Sequence, residues 1–341
     1  MKAAIVERPG VLAVREVPDP RPGDYQALCA LLYGATCTGT DTHLIRGEFP
    51  FPIRYPAILG HESVGRVVEV GRKVRNLRVG DLVTRVGAPP AADGGYDVCW
   101  GGFAEMGLAT DHWAMRADGR PESEWAGARV NQVVPPGVSP QEAPMFTTWR
   151  ETLSYLLRLG IRAGWNVLVV GSGGNGLSFA AHSVRLGATV WQVGSPRCRS
   201  AAVGLGVRAF LDYHQEDCVE TLRAEVPGGF DLVVDALGKT GVVDRFLPLL
   251  AAGGTLGIYG IDDFARLSVS PRLARGTFTI YGGGYDEAET HQRVSEMALQ
   301  GLLSARAWYD PAGSYPLSRI NEAFADLWNR KAVKALIQLS T

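Results

Sequence analysis

Apolar residues fall along this chain in two different rhythms. Up to about residue 150 they come in short runs broken by turn residues, so that Ala3–Val6, Gln26–Leu32, Ser63–Val70 and Asp81–Val86 read as strands. Val70-Gly71 and Gly80-Asp81 supply turns, and the Gly/Ala/Pro-rich stretch Pro89–Gly102 reads as loop. This half is expected to be β-rich and barrel-like. From Trp149 onward strands alternate with helical periods, the signature of βαβ units around a parallel sheet. The continuous apolar runs Asn166–Val170, Thr189–Val193, Asp231–Asp235, Thr255–Tyr259 and Thr277–Tyr281 are the expected strands of that sheet, buried on both faces. A helix is predicted over Leu177–Leu186, stopped by Gly187. The segment from Glu287 on returns to helical periods, with Ile320–Trp328 amphipathic, and closes with a strand over Ala335–Leu339.

A glycine-rich turn sits between the first of those buried runs and the first predicted helix. Gly171, Ser172, Gly173, Gly174, Asn175 and Gly176 form G-x-G-x-x-G, which has little weight alone in a chain with 42 glycines. Its context gives the weight: Gly171 permits the tight turn, Gly173 lets backbone approach a pyrophosphate, and Gly176 lets helix and sheet pack closely. The free N–H groups of the helix start then face the anion. An acid normally stands at the end of the second strand, where it accepts hydrogen bonds from the adenosine ribose. Here that place reads Val193-Gly194-Ser195-Pro196-Arg197-Cys198-Arg199. A hydroxyl at Ser195 and guanidinium groups at Arg197 and Arg199 suit a 2′-phosphate, so NADP is favoured over NAD.

Composition narrows the class further. At 341 residues the chain exceeds the usual reach of one hydrophobic core, so two domains are expected. The 34 basic and 35 acidic residues are mixed and nearly cancel, which leaves no polycation for nucleic acid. No apolar window of roughly 18 residues is long enough to span a membrane, and the start Met1–Glu7 is unlike a signal peptide, so a cytoplasmic location is expected. Five scattered cysteines, Cys29, Cys37, Cys99, Cys198 and Cys218, make neither a disulfide framework nor a four-cysteine zinc knot.

Four segments of the chain carry further chemistry: Cys37-Thr38-Gly39-Thr40-Asp41-Thr42-His43, Gly60-His61-Glu62, Val79-Gly80-Asp81 and Thr148–Leu153. Thiolate, imidazole and carboxylate are good zinc ligands, and a catalytic zinc keeps three protein ligands and one open position. Each residue taken singly is more often structural. In this order, together with the glycine turn, the segments resemble the medium-chain dehydrogenase/reductase family, and most closely its zinc-dependent branch of sorbitol, glucose and threonine dehydrogenase-like members. The resemblance covers essentially the whole chain.

It implies an α/β architecture with a GroES-like β-rich catalytic domain (1–148 and 287–341) and a Rossmann, doubly wound parallel-sheet domain (149–286). It implies that Cys37, His61 and Glu151 ligate a catalytic zinc, with Glu62 nearby as an exchangeable ligand. Thr40 and His43 would relay the substrate proton, and Asp41 would orient His61. Two departures stand out. Thr38 and Gly39 both intervene where the family commonly has one residue, and the lobe that usually carries four cysteines has only Cys99, so one zinc per chain and no structural zinc is expected. Glu151 also lacks the proline that usually follows the ligand in polyol dehydrogenases.

The activity implied is hydride transfer between NADP(H) and a secondary alcohol or ketone, a sugar, cyclitol or other polyol, by a homodimer or homotetramer. The strand near Phe278–Tyr281 is the candidate for pairing across a two-fold axis. Two competing readings are a zinc-free quinone or enoyl reductase using NADPH, and a non-catalytic NADPH-binding protein.

Overall fold

The computed structural model describes residues 1–264 and 266–340. The chain divides into two compact units, one made of residues 1–150 together with the segment from Glu287 onward, the other of residues 151–286.

The first unit is built on two sheets. Strand Gln26–Ala35 lies at the centre of the larger one, where it pairs antiparallel with Glu62–Val70, Met106–Thr110 and Leu336–Gln338. Alternation of buried and half-buried positions along Gln26–Ala35 sends Ala27, Cys29 and Leu31 into the core, as period-two patterning requires. Lys2–Arg8 organises the smaller sheet, between Val11–Glu16 and the short strand Ala57–Ile58. Their apolar faces share a core with the C-terminal helix Ile320–Trp328, whose Ile320, Ala323, Phe324 and Leu327 are buried on one stripe. The strand predicted from Asp81 is shorter than its apolar run, covering Leu82–Thr84, because Arg85 turns the chain with φ of +59°.

The second unit carries one six-stranded sheet, all parallel, in the spatial order Ala209–Asp212, Thr189–Gly194, Asn166–Val170, Phe230–Asp235, Leu250–Ile258, Thr279–Tyr281. The order reverses beside Asn166–Val170, the doubly wound arrangement in which a nucleotide binds at the carboxyl ends of the strands. Leu168, Val170, Trp191, Val193 and Val233 are buried in its core, which accounts for the uninterrupted apolar runs. The helix after the glycine turn starts earlier than the apolar period shows, at Gly174, and ends at Arg185 with Gly187 in the left-handed region at φ of +85°. A helix over Met145–Arg158 was not read from the sequence, since Thr147, Thr148, Arg150, Glu151, Thr152 and Ser154 are all buried there and mask its apolar face.

Candidate active site

Strand register brings the first half's candidate ligands together. Ala35 pairs with Glu62 on one side and with Leu336 on the other, so Cys37, the His61-Glu62 pair and Lys334 lie around the same strand ends. Past the strand, the helix Thr40–Arg46 turns back: Asp41 N–H donates to the Cys37 carbonyl at 3.0 Å and Asp41 Oδ2 accepts from Cys37 N–H at 2.8 Å. This local loop fixes the cysteine backbone. Gly39 is the N-cap of this helix and Thr40 its first residue, so Thr38 and Gly39 both lie ahead of it.

Cys37, His61 and Glu62 are buried, and they offer ligating atoms that all lie within 4.8 Å of one another. Nδ1 of His61 is 3.4 Å from Asp41 Oδ1, and its Nε2 is 3.7 Å from Glu62 Oε1. Burial favours the neutral imidazole, but Asp41 and Cys37 outweigh it and hold the His61 pKa well above its usual value. Glu62 is firmly held: Lys334 Nζ donates to its Oε1 and Oε2 at 2.5 and 2.7 Å, and Thr148 Oγ1 donates to Oε1 at 3.1 Å. Lys334 is itself only 1% exposed, and Glu62 and Cys37 keep its pKa raised against the cost of burial. His43 is half-buried, with Nδ1 4.0 Å from Glu48 Oε2. Glu151 belongs to the second unit, where its Oε2 accepts from Tyr259 Oη at 2.9 Å.

Sequence reasoning missed Lys334 and Arg85. Nothing distinguishes Lys334 from Lys331 until strand pairing buries it. Arg85 donates from Nη1 to the His61 carbonyl at 2.8 Å and from Nη2 to Glu287 at 2.5 Å, and Glu287 also accepts from the fully buried Arg150 at 2.7 Å. A signal for Arg85 was present in the weak form of an arginine ending a strand, where its partners are far away in sequence.

The glycine turn in the second unit has the shape its spacing predicts. Gly171 has φ of +112°, and a Cβ on Gly176 would fall 2.3 Å from the Gly171 carbonyl oxygen, so both positions demand glycine. At Gly173 a Cβ would meet no atom within 4 Å, which leaves open space beside the backbone. Gly194 ends the second strand where the acid usually stands, and a Cβ there would fall 2.3 Å from Ser172 Oγ. Ser172 Oγ instead accepts the Ser195 N–H at 2.9 Å and ties the turn to that strand end. Arg197 is exposed, on the short turn Pro196–Cys198. Arg199, by contrast, is engaged within the unit: its Nη1 donates to the Phe210 carbonyl at 2.7 Å and its guanidinium sits over the Phe210 ring.

Two family models match the chain: an alcohol dehydrogenase GroES-like domain over residues 24–119 and a zinc-binding dehydrogenase domain over residues 205–333. An alcohol dehydrogenase of Geobacillus stearothermophilus is 30% identical over 95% of both chains. The L-galactonate-5-dehydrogenase of Escherichia coli K12 is 27% identical over 99% of this chain and 98% of its own. Among solved structures, a zinc-binding dehydrogenase from Sinorhizobium meliloti 1021 bound to NADP superposes with a TM-score of 0.79 at 23% identity, covering 99% of this chain and 98% of that one. Among the described residues no helix is long and apolar enough to cross a membrane.

Proposed function

Because the chain belongs to the zinc-binding alcohol dehydrogenases of the medium-chain dehydrogenase/reductase family, we propose that it transfers hydride between NADP and a secondary alcohol of polyol type, with Cys37, His61 and Glu62 holding one catalytic zinc. The observation that carries this reading is the buried thiol, imidazole and carboxylate with ligating atoms within 4.8 Å of one another. Charge supports the fit. With Cys37 ionised and the His61 imidazole neutral, as a zinc ligand must be, the formal charges of Cys37, Asp41 and Glu62 against that of Lys334 leave the buried set two negative charges in excess, which a divalent cation cancels.

Zinc held there supplies Lewis acidity toward the carbinol oxygen, and the nicotinamide supplies the hydride acceptor. The chain's residues do the remainder. Asp41 fixes the His61 ring from the Nδ1 side, leaving Nε2 for the metal. Lys334 and Thr148 orient the Glu62 carboxylate. Thr40 and His43 are assigned to carry the alcohol proton outward. In the other unit, the open side of Gly173 receives the pyrophosphate, and Ser195 with Arg197 grips the 2′-phosphate; Arg199 braces the neighbouring strand. Relatives support a polyol substrate by their names, among them the sorbitol dehydrogenase of Halalkalibacterium halodurans at 28% identity over 99% of each chain.

The decisive experiment combines metal analysis with a parallel NADP and NAD assay over polyols and their keto forms. The purified chain is expected to hold one zinc and to reduce NADP in preference to NAD. Cys37→Ser, His61→Asn and Glu62→Gln are expected to lose the metal, while Glu151→Gln keeps it. Retention of zinc and turnover by Cys37→Ser or His61→Asn would sink the assignment. Loss of zinc in Glu151→Gln, with retention in Glu62→Gln, would move the third ligand back to Glu151.

A further inference from the structure

Among the described residues only three besides glycine adopt a left-handed backbone: Arg85 at φ of +59°, Trp100 at +68° and Arg330 at +57°. Such a conformation strains a residue that carries a side chain. Two of the three converge on His61. Arg85 donates to the His61 carbonyl, the Trp100 ring centroid lies 5.1 Å from the His61 ring, and the Arg85 guanidinium lies 5.9 Å from the Trp100 ring.

The backbone of Trp100 is also wedged in place. A Cβ at Gly87 would fall 1.9 Å from the Trp100 carbonyl oxygen, and Ala88 N–H donates to the Gly101 carbonyl at 2.9 Å. Yet the side chain so held is 45% exposed, although burying an indole is the favourable course. Two further rings extend the surface: Phe49 meets Trp100 edge-on at 6.2 Å, and Phe51, 53% exposed, meets Phe49 at 5.7 Å.

We propose that Trp100 is a specificity-determining platform on which the carbon face of a polyhydroxylated substrate stacks beside the metal ligand His61, with Arg85 as the positioning residue that holds both. The chemistry follows from the ring faces, which carry negative quadrupole density and attract C–H bonds polarised by neighbouring hydroxyl groups. A chain of carbinol carbons presents such C–H bonds repeatedly along a strip of rings. A short alcohol reaches only the metal end.

This inference rests on the dehydrogenase reading, and its test keeps the two apart. Zinc-loaded full-length chain, as wild type, Trp100→Ala, Trp100→Phe and Arg85→Lys, is assayed with a hexitol, benzyl alcohol and propan-2-ol. Binding of the hexitol is followed separately by quenching of tryptophan fluorescence. Trp100→Ala is expected to lower the hexitol-to-propan-2-ol ratio of kcat/KM at least tenfold, mainly through KM. Trp100→Phe should restore most of it, and Arg85→Lys should fall between. The quenching seen in wild type should vanish in Trp100→Phe. An unchanged ratio, or quenching that persists in Trp100→Phe, overturns the platform. Benzyl alcohol losing more than the hexitol overturns the polyhydroxylated class. Hexitol-induced quenching without turnover of any alcohol removes the dehydrogenase reading while upholding the platform.

Discussion

Gly173 and Gly176 ask for glycine for opposite reasons. The Cβ of Gly176→Ala would fall 2.3 Å from the Gly171 carbonyl oxygen, so the helix start must shift. A lower Tm together with weaker NADP binding is expected, checked by thermal melts and fluorescence titration. Gly173→Ala meets no protein atom within 4 Å. Its Tm should hold while NADP binding weakens at least tenfold, about 1.4 kcal/mol, because the methyl group occupies the space left for the pyrophosphate. Unweakened binding in Gly173→Ala would remove the phosphate from that side of the turn. Gly194 shows a further constraint at this scale. An acid cannot simply be restored there, since Ser172 occupies the space its Cβ would need.

Elements of the first unit are pinned by buried polar groups that apolar periodicity does not reveal. Asp111 caps the helix His112–Ala117 by accepting the Ala114 N–H at 2.9 Å, and its other oxygen accepts from Arg75 N–H and Asn76 N–H. The next residue, His112, and His291 at the start of His291–Leu299 are both pushed down to about 4, chiefly by burial. Both are therefore neutral in the folded state, whereas an unfolded histidine takes its proton near 6.5. Their contribution to stability is complete above pH 6.5 and is lost as pH falls from there through about 4, by roughly 1 kcal/mol per histidine per unit. Urea melts from pH 7 to pH 5 should show this loss, and His112→Asn combined with His291→Gln should flatten it. An equally steep loss in the double variant would assign it to other groups. The helix Met145–Arg158 is anchored in the first unit by Arg150, whose partner Glu287 also holds Arg85. Glu287→Ala leaves the fully buried Arg150 guanidinium and the half-buried Arg85 guanidinium without that carboxylate, and a loss of about 3–5 kcal/mol in urea unfolding is expected. A loss below 1 kcal/mol would show that water replaces the carboxylate.

In the molecule as a whole, the parallel sheet ends in the short strand Thr279–Tyr281, whose outer edge pairs with no further strand among the described residues and whose Ile280 is 45% exposed. An apolar edge of this kind invites pairing. The chain is expected to sediment as a dimer or tetramer, and Ile280→Lys to shift it toward monomer; a wild-type monomer at micromolar concentration would remove the edge as an interface. The two textures, the parallel strands and the glycine turn were legible from local pattern, because apolar period and the steric demands of Gly171 and Gly176 act over a few neighbouring residues. The sequence also marked Cys37, His61 and Glu151 as metal-ligand types, with Glu62 as an exchangeable ligand. Tertiary structure alone decided which of them meet: the register Ala35 to Glu62 and Ala35 to Leu336 brings together residues that are remote in sequence, and with them the unforeseen Lys334. Burial then decided the charges, since a lysine or carboxylate keeps its charge away from water only when a partner lies within hydrogen-bonding distance, and no local pattern records that partner.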